Sequence, residues 1–243
     1  MIYRARPGQV SYGEAIGILL LDSCAPFIPG DVANATTYKF PVRFQRVPGL
    51  TVERIFNHDL SLTEAVVEAG LCLKEEGVRA VTGDCGFMAL YQQELTRRLG
   101  LPVFMSSLMQ IPFMAGLIPR KKKIGIITAN ARALDETVLD SCGAFLPGRL
   151  AVRGLEACPH FAAAFIEEKG LLDAEKLEAE VAGTAAALTR EEPEVGLLLL
   201  ECSVLPPYGA AVQRETGLPV FDYVTMINYV YSAVVKKRFK GYM

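Results

Sequence analysis

The chain has 243 residues, enough for one large domain or two small ones around a buried core. Apolar residues make up 51% and charged residues 21%, with a formal net charge of −2, which argues against a general binder of nucleic acid or anionic membrane. Six cysteines are spread thinly with no Cys-x-x-Cys pair, and neither His58 nor His160 has a ligand at metal spacing, so no disulfide scaffold and no metal site are expected.

Ile16 to Leu21 is a continuous apolar run, as expected of a strand buried on both faces and far too short to span a bilayer. Arg4, Arg6, Pro7 and Gly8 precede it without the apolar stretch of a secretory signal, so a cytoplasmic location is expected. The run ends in Asp22-Ser23, and Pro26, Pro29-Gly30-Asp31 and Asn34 then mark a long loop of the kind that closes over sites. Pro41 to Val47 and Val52 to Ile55 read as strands joined by a turn at Pro48-Gly49. Ser61 and Glu64 have the form of a capping box for a helix carrying Leu62, Ala65, Val66, Ala69 and Leu73, with Gly77 as its C-cap. Arg79 to Thr82 is a strand leading into Cys85, followed by a helix to Leu99 that Gly100 and Pro102 stop.

Val103 to Met105 reads as a strand with Ser106-Ser107 at its end, and Lys121 to Lys123 as a solvated loop. Ile124 to Ile127 repeats the first strand and ends in Thr128-Ala129-Asn130, with Asn130 as N-cap of a helix through Leu139. A helix from Asp173 carries Leu177, Val181, Ala185 and Leu188 on one face, and the apolar strand Val195 to Leu200 delivers Cys202. A helix from Pro207 to Gly217, a strand at Val220-Phe221 and a helix from Val224 to Lys237 complete the pattern. Strands alternate with helices, so the expected class is α/β with mostly parallel sheets.

One pattern occurs twice. Aligning Cys85 with Cys202 also matches Tyr91 with Tyr208, Arg97 with Arg214, and Gly-Leu-Pro-Val-Phe at 100–104 with the same five residues at 217–221. That makes eight identities, where roughly one or two are expected by chance. An acid, Asp84 or Glu201, precedes each cysteine. The duplication predicts two Rossmann-like lobes related by a pseudo-twofold axis, residues 1–99 plus 217–243 and residues 100–216. Ligands of such sheets bind at the carboxyl ends of strands, where both cysteines lie, so both thiols are expected to face one cleft.

Two equivalent groups on opposite faces of one carbon can remove a proton and return one, inverting configuration. Cysteine suits both roles once its pKa is lowered slightly. If Asp84 caps a helix, Cys85 falls at its first position, where the helix end favours a thiolate. A negative neighbour would raise a thiol pKa, so both acids are expected to turn from the cleft or to hold loop backbone, the alternative being a direct role as an assisting acid or base.

These residues resemble the aspartate/glutamate racemase superfamily, which includes hydantoin racemase, maleate isomerase and arylmalonate decarboxylase. The likeness covers nearly the whole chain and rests on Ile16 to Ser23, Thr82 to Phe87, Ile124 to Asn130 and Leu197 to Ser203. It implies a cofactor-independent enzyme, often dimeric, acting on a small carboxylate or amino-acid-derived substrate with no nucleic-acid or membrane partner. It makes Cys85 and Cys202 the catalytic pair, and Asp22, Ser23, Gly86, Phe87, Ser106, Thr128 and Ser203 the candidate substrate contacts. The chain departs from the amino-acid racemases, which carry Cys-Asn-Thr in the first lobe and Cys-Thr in the second. It has Cys85-Gly86-Phe87 and Cys202-Ser203, closer in style to hydantoin racemase. The leading expectation is therefore a two-cysteine racemase or epimerase. The alternatives are an isomerase or decarboxylase with a nucleophilic cysteine, or a non-catalytic binding relative. His160 is a further candidate acid or base.

Overall fold

The computed structural model describes residues 2–243. The first sheet holds β1 (Ile16–Leu20), β2 (Val42–Arg46) and β3 (Ala80–Gly83) in the order β2-β1-β3, all parallel. The second holds β4 (Lys123–Thr128), β5 (Leu150–Gly154), β6 (Val195–Leu200) and β7 (Val220–Phe221) in the order β5-β4-β6-β7, again all parallel. The α/β class and two-lobed plan are as expected. The duplication reaches the strand register: Val81 bridges to Val103 in the first sheet, and their counterparts Leu198 and Val220 pair in the second. Val103 thus belongs with the first sheet and Val220-Phe221 with the second. The chain crosses between sheets a few residues later, at both points, than the boundaries read from the sequence.

The helices are α1 (Val52–Phe56), α2 (Thr63–Glu75), α3 (Gln92–Leu99), α4 (Ile111–Leu117), α5 (Glu136–Ser141), α6 (Pro159–Phe161, continued by a π-turn over Ala162–Ile166), α7 (Ala174–Glu191), α8 (Gly209–Thr216) and α9 (Tyr223–Val234). Three local expectations are corrected. Val52 to Ile55 is helix rather than strand, because the Thr51 hydroxyl caps it by accepting the Arg54 N–H. The capping box at Ser61 does not form, since the Asp59 carboxylate takes the Ser61 N–H and Glu64 pairs with Arg98. Asn130 closes a local turn by accepting from Arg132 and Ala133 N–H, and the helix starts later, capped by Asp135. The segments over β5, α4 and α6 were not read from the sequence.

Apolar burial falls into three clusters. One lies between α2, α3 and the first sheet and continues under β4. A second surrounds β6 with α7, and a third lies where α9 covers β1 and β3. The lobes are joined by hydrogen bonds near the strand ends. Ser107 Oγ donates to the Glu201 carbonyl at 2.7 Å, and Tyr223 Oη to the Met105 carbonyl at 2.7 Å. The Val32 N–H donates to the Ser203 carbonyl at 3.3 Å. Among the described residues no helix is long and apolar enough to cross a membrane.

Candidate active site

Each cysteine is aimed by the same local device. The N–H of the preceding acid extends the ladder to the central strand, Asp84 to the Leu19 carbonyl at 3.0 Å and Glu201 to the Ile127 carbonyl at 2.8 Å. The cysteine carbonyl then accepts from the third residue onward, Met88 N–H for Cys85 and Leu205 N–H for Cys202. The chain turns sharply at the strand end, and the two side chains reach a single cavity. That cavity has a volume of about 50 Å³, room for a few waters.

Phe27, Phe56, Phe161 and Phe165 form its apolar wall, with Ser23, Asp84, Glu168 and Ser203 as its polar groups. The Phe161 and Phe165 rings lie 5.3 Å apart, and Phe56 sits edge-on to Phe87 at 5.0 Å. Among the described residues no Lys, Arg or His lines it. Ala25 and Phe27 come from the loop after β1, which does close over the site as its composition suggested.

The thiols are 7% and 9% exposed for Cys85 and Cys202, and burial pushes both well above the ordinary cysteine range. Cys202, Glu201 and Asp84 add to the rise at Cys85, and Glu201, Asp31 and Asp84 to that at Cys202. The N–H groups of Phe87 and Val204, each two residues past its cysteine, act in the opposite direction. The helix expected to favour a thiolate at Cys85 is absent: residues Gly86–Tyr91 form a 3₁₀ turn, and Cys85 is extended at φ −148°. In the free protein both thiols are therefore held protonated.

The two acids diverge. Asp84 lines the cavity, and its Oδ1 accepts the Leu21 N–H at 3.0 Å. Glu201 turns away, and its Oε2 accepts from Thr128 Oγ1 at 2.8 Å. Its Oε1 has no partner and is fully buried. Room for it comes from Gly86, where an added Cβ would lie 1.5 Å from that oxygen. Gly86→Ala is accordingly expected to destabilise the fold by about 1–3 kcal/mol through overpacking, seen as a lower midpoint in urea denaturation. An unchanged midpoint would mean that Glu201 can swing aside.

Of the residues expected to touch substrate, the structure brings Ser23 and Ser203 to the cavity beside the cysteines. Ser203 Oγ already donates to the Asp84 carbonyl. The others are placed elsewhere. Asp22 accepts the Gly49 N–H at 2.9 Å and pairs with Arg46, holding the loop after β2. Ser106 caps the turn over Ser107–Gln110. Thr128 serves Glu201, Gly86 makes space for it, and Phe87 packs in the core behind Phe56. His160 does not line the cavity; its backbone N–H binds Glu180. Tyr91 and Tyr208, matched by the duplication, are buried, and Arg97 and Arg214 form surface pairs with Glu94 and Glu178. The sequence reading missed the aromatic wall. It also missed Asp31, which is 1% exposed and pushed up to about 8 by burial. No signal at Phe161 or Phe165 separates a wall residue from a core one.

No protein-family model matches the chain. It is 32% identical over 228 residues to a dimethylsulfoniopropionate lyase of Durusdinium sp. clade D, covering 88% of this chain and 73% of the relative. It is 33% identical over 237 residues to dimethylsulfoniopropionate lyase 3 of Emiliania huxleyi, covering 91% of this chain and 60% of the relative. Among solved structures, allantoin racemase from Klebsiella pneumoniae superposes with a TM-score of 0.61 at 18% identity, over 93% of this chain and 96% of that one. Unliganded arylmalonate decarboxylase gives 0.55 at 15%, over 93% and 94%. The fold of the racemase superfamily is therefore shared, while the sequence relatives carry the name of a lyase.

Proposed function

We propose that this chain, which belongs to the dimethylsulfoniopropionate lyase family, cleaves the carbon–sulfur bond of a small sulfonium carboxylate by removing the proton next to the carboxylate. The step shared with a racemase is the first. A cysteine thiolate takes a proton from the carbon beside the carboxylate, the task for which two facing thiols were expected. In a racemase a proton returns from the other face. Here the freed electron pair forms a carbon–carbon double bond, and the carbon–sulfur bond breaks with its pair going to sulfur. From dimethylsulfoniopropionate the products are neutral dimethyl sulfide and acrylate. The proton stays on the cysteine and is later lost to solvent.

The observation that carries this reading is the lining of the cavity. It offers four phenylalanines and two acids, with no cationic side chain. A sulfonium suits such a wall, since aromatic faces attract a desolvated cation by about 0.5–2 kcal/mol and Asp84 and Glu168 complement its charge. The cation also lowers the pKa of a nearby thiol, opposing the effect of burial. The carboxylate end falls to neutral donors, with the Ser23 hydroxyl the free one among those lining the cavity. A free amino acid also brings a cation, but its ammonium is strongly hydrated and loses more on entering an apolar wall. A hydantoin brings no cation at all, so both gain less here. That weighs for cleavage over the racemisation first expected.

The test is to incubate the purified chain with dimethylsulfoniopropionate, measuring dimethyl sulfide by gas chromatography and acrylate by liquid chromatography. Equimolar release is expected. Absence of both products, with inversion of an amino acid or hydantoin from a parallel panel, would return the protein to the racemases.

A further inference from the structure

Glu201 is next in the chain to one thiol and, across the lobes, packed against the residue that follows the other. Four features fix it: Ser107 Oγ on its carbonyl, Thr128 Oγ1 on Oε2, the Ala129 N–H toward its carboxylate, and the gap over Gly86 that holds Oε1. Oε1 is fully buried and unpartnered, a costly arrangement for a carboxylate and a lesser one for a carboxylic acid. The neighbouring acids Asp84 and Asp31 also have one oxygen engaged, by the Leu21 and Ala33 N–H groups, but neither has its second oxygen buried without a partner.

We propose that Glu201 is a positioning residue that keeps Cys85 and Cys202 protonated until a cationic substrate enters. It does so by placing a carboxylate that can lose its proton, and that no cation offsets, at the backbone of both thiols. The role of the cation rests on the lyase reading; the control over the thiols does not.

The physical chain is short. Burial pushes Glu201 up to about 7, so above neutrality it ionises, and its charge then opposes thiolate formation at both cysteines. The other titratable groups facing the pair are Asp31, Asp84, Tyr91, Tyr223 and Glu168, and Cys142 faces Glu201. All of them are neutral or negative, so none relieves this opposition. A sulfonium is the missing positive charge. Since the thiolate is the form that alkylating agents and oxidants attack, the resting enzyme keeps its sulfurs unreactive.

The experiment is alkylation by iodoacetamide across pH, with Cys85 and Cys202 read separately by peptide mass spectrometry. The exposed Cys24 and Cys72 serve as internal controls. Glu201→Gln keeps the shape and removes the charge. It is expected to move the alkylation midpoint of both cysteines down by about one pH unit, or about tenfold faster labelling at a fixed pH above neutrality. Thr128→Val removes the donor that favours the ionised form of Glu201 and is expected to move both midpoints in the same direction by less. This second variant decides the matter if the first does not fold. Midpoints unchanged from wild type in a folded variant, with the controls also unchanged, would reduce Glu201 to a packing residue. Because no substrate is used, a failed lyase assay leaves this result standing, and an unshifted midpoint leaves the lyase reading standing.

Discussion

Of Cys85→Ala and Cys202→Ala, the variant that loses the proton-abstracting thiolate is expected to lower kcat/KM for dimethyl sulfide release by two to four orders of magnitude, the usual worth of a positioned acid or base. Both thiols reach one cavity whose other polar groups are two serines and two acids, and Asp84 Oδ1 is already held by the Leu21 N–H. The two losses need not be alike. Elimination asks one thiol to take a proton, whereas inversion asks both to exchange one. In deuterated solvent, the variant lacking the base should lose exchange at the carbon beside the carboxylate. The variant lacking the other thiol should retain some. The Cys→Ser variants should behave as the alanine variants do, because a hydroxyl at these buried positions is a far weaker base. Activity within tenfold of wild type in either alanine variant would remove that cysteine from the reaction.

The second large effect concerns stability. Burial pushes Asp84 and Glu201 up to about 7 and Asp31 to about 8, whereas in an unfolded chain such carboxyls titrate near 4. Between about pH 4 and pH 8 the folded protein therefore binds more protons than the unfolded one, and stability falls as pH rises through that window. The stabilising contribution is fully present below pH 4 and gone above 8. The melting temperature at pH 8.5 is expected to lie below that at pH 5.5 by roughly 4 °C or more, reflecting a loss of at least about 2 kcal/mol in a chain of this size. Asp31→Asn should flatten the dependence by removing one of the three groups. A melting temperature that instead climbs steadily from pH 5.5 to 8.5 would contradict the burial of these carboxyls as neutral acids.

Much of this architecture was legible because the duplication is a long-range signal. Eight matched positions aligned the halves and placed both cysteines at strand ends, and the equivalent pairings of Val103 and Val220 in the two sheets agree with that alignment. Short-range signals were less secure where a side chain had two partners to choose between. Ser61 and Asn130 both carry good capping chemistry, yet Asp59 and Asp135 hold the caps, because a cap depends on where the chain enters the helix rather than on composition alone. Asp22 and Thr128 sit at strand ends as substrate contacts do, but successive side chains there face opposite ways. One braces the loop after β2 and the other braces Glu201. The reaction itself was the least legible. Proton removal beside a carboxylate serves inversion and elimination equally, and the proposal of elimination rests on a wall assembled from Phe27, Phe56, Phe161 and Phe165, which are far apart in the chain.

Substrate deuterated on the carbon beside its carboxylate gives the most direct measurement, through the isotope effect on kcat/KM for dimethyl sulfide release. A slowing of at least about twofold is predicted for the wild-type protein, since the transferred proton is in flight in the transition state. Release that proceeds equally fast from labelled and unlabelled substrate, and persists when both sulfurs are gone, would contradict the account.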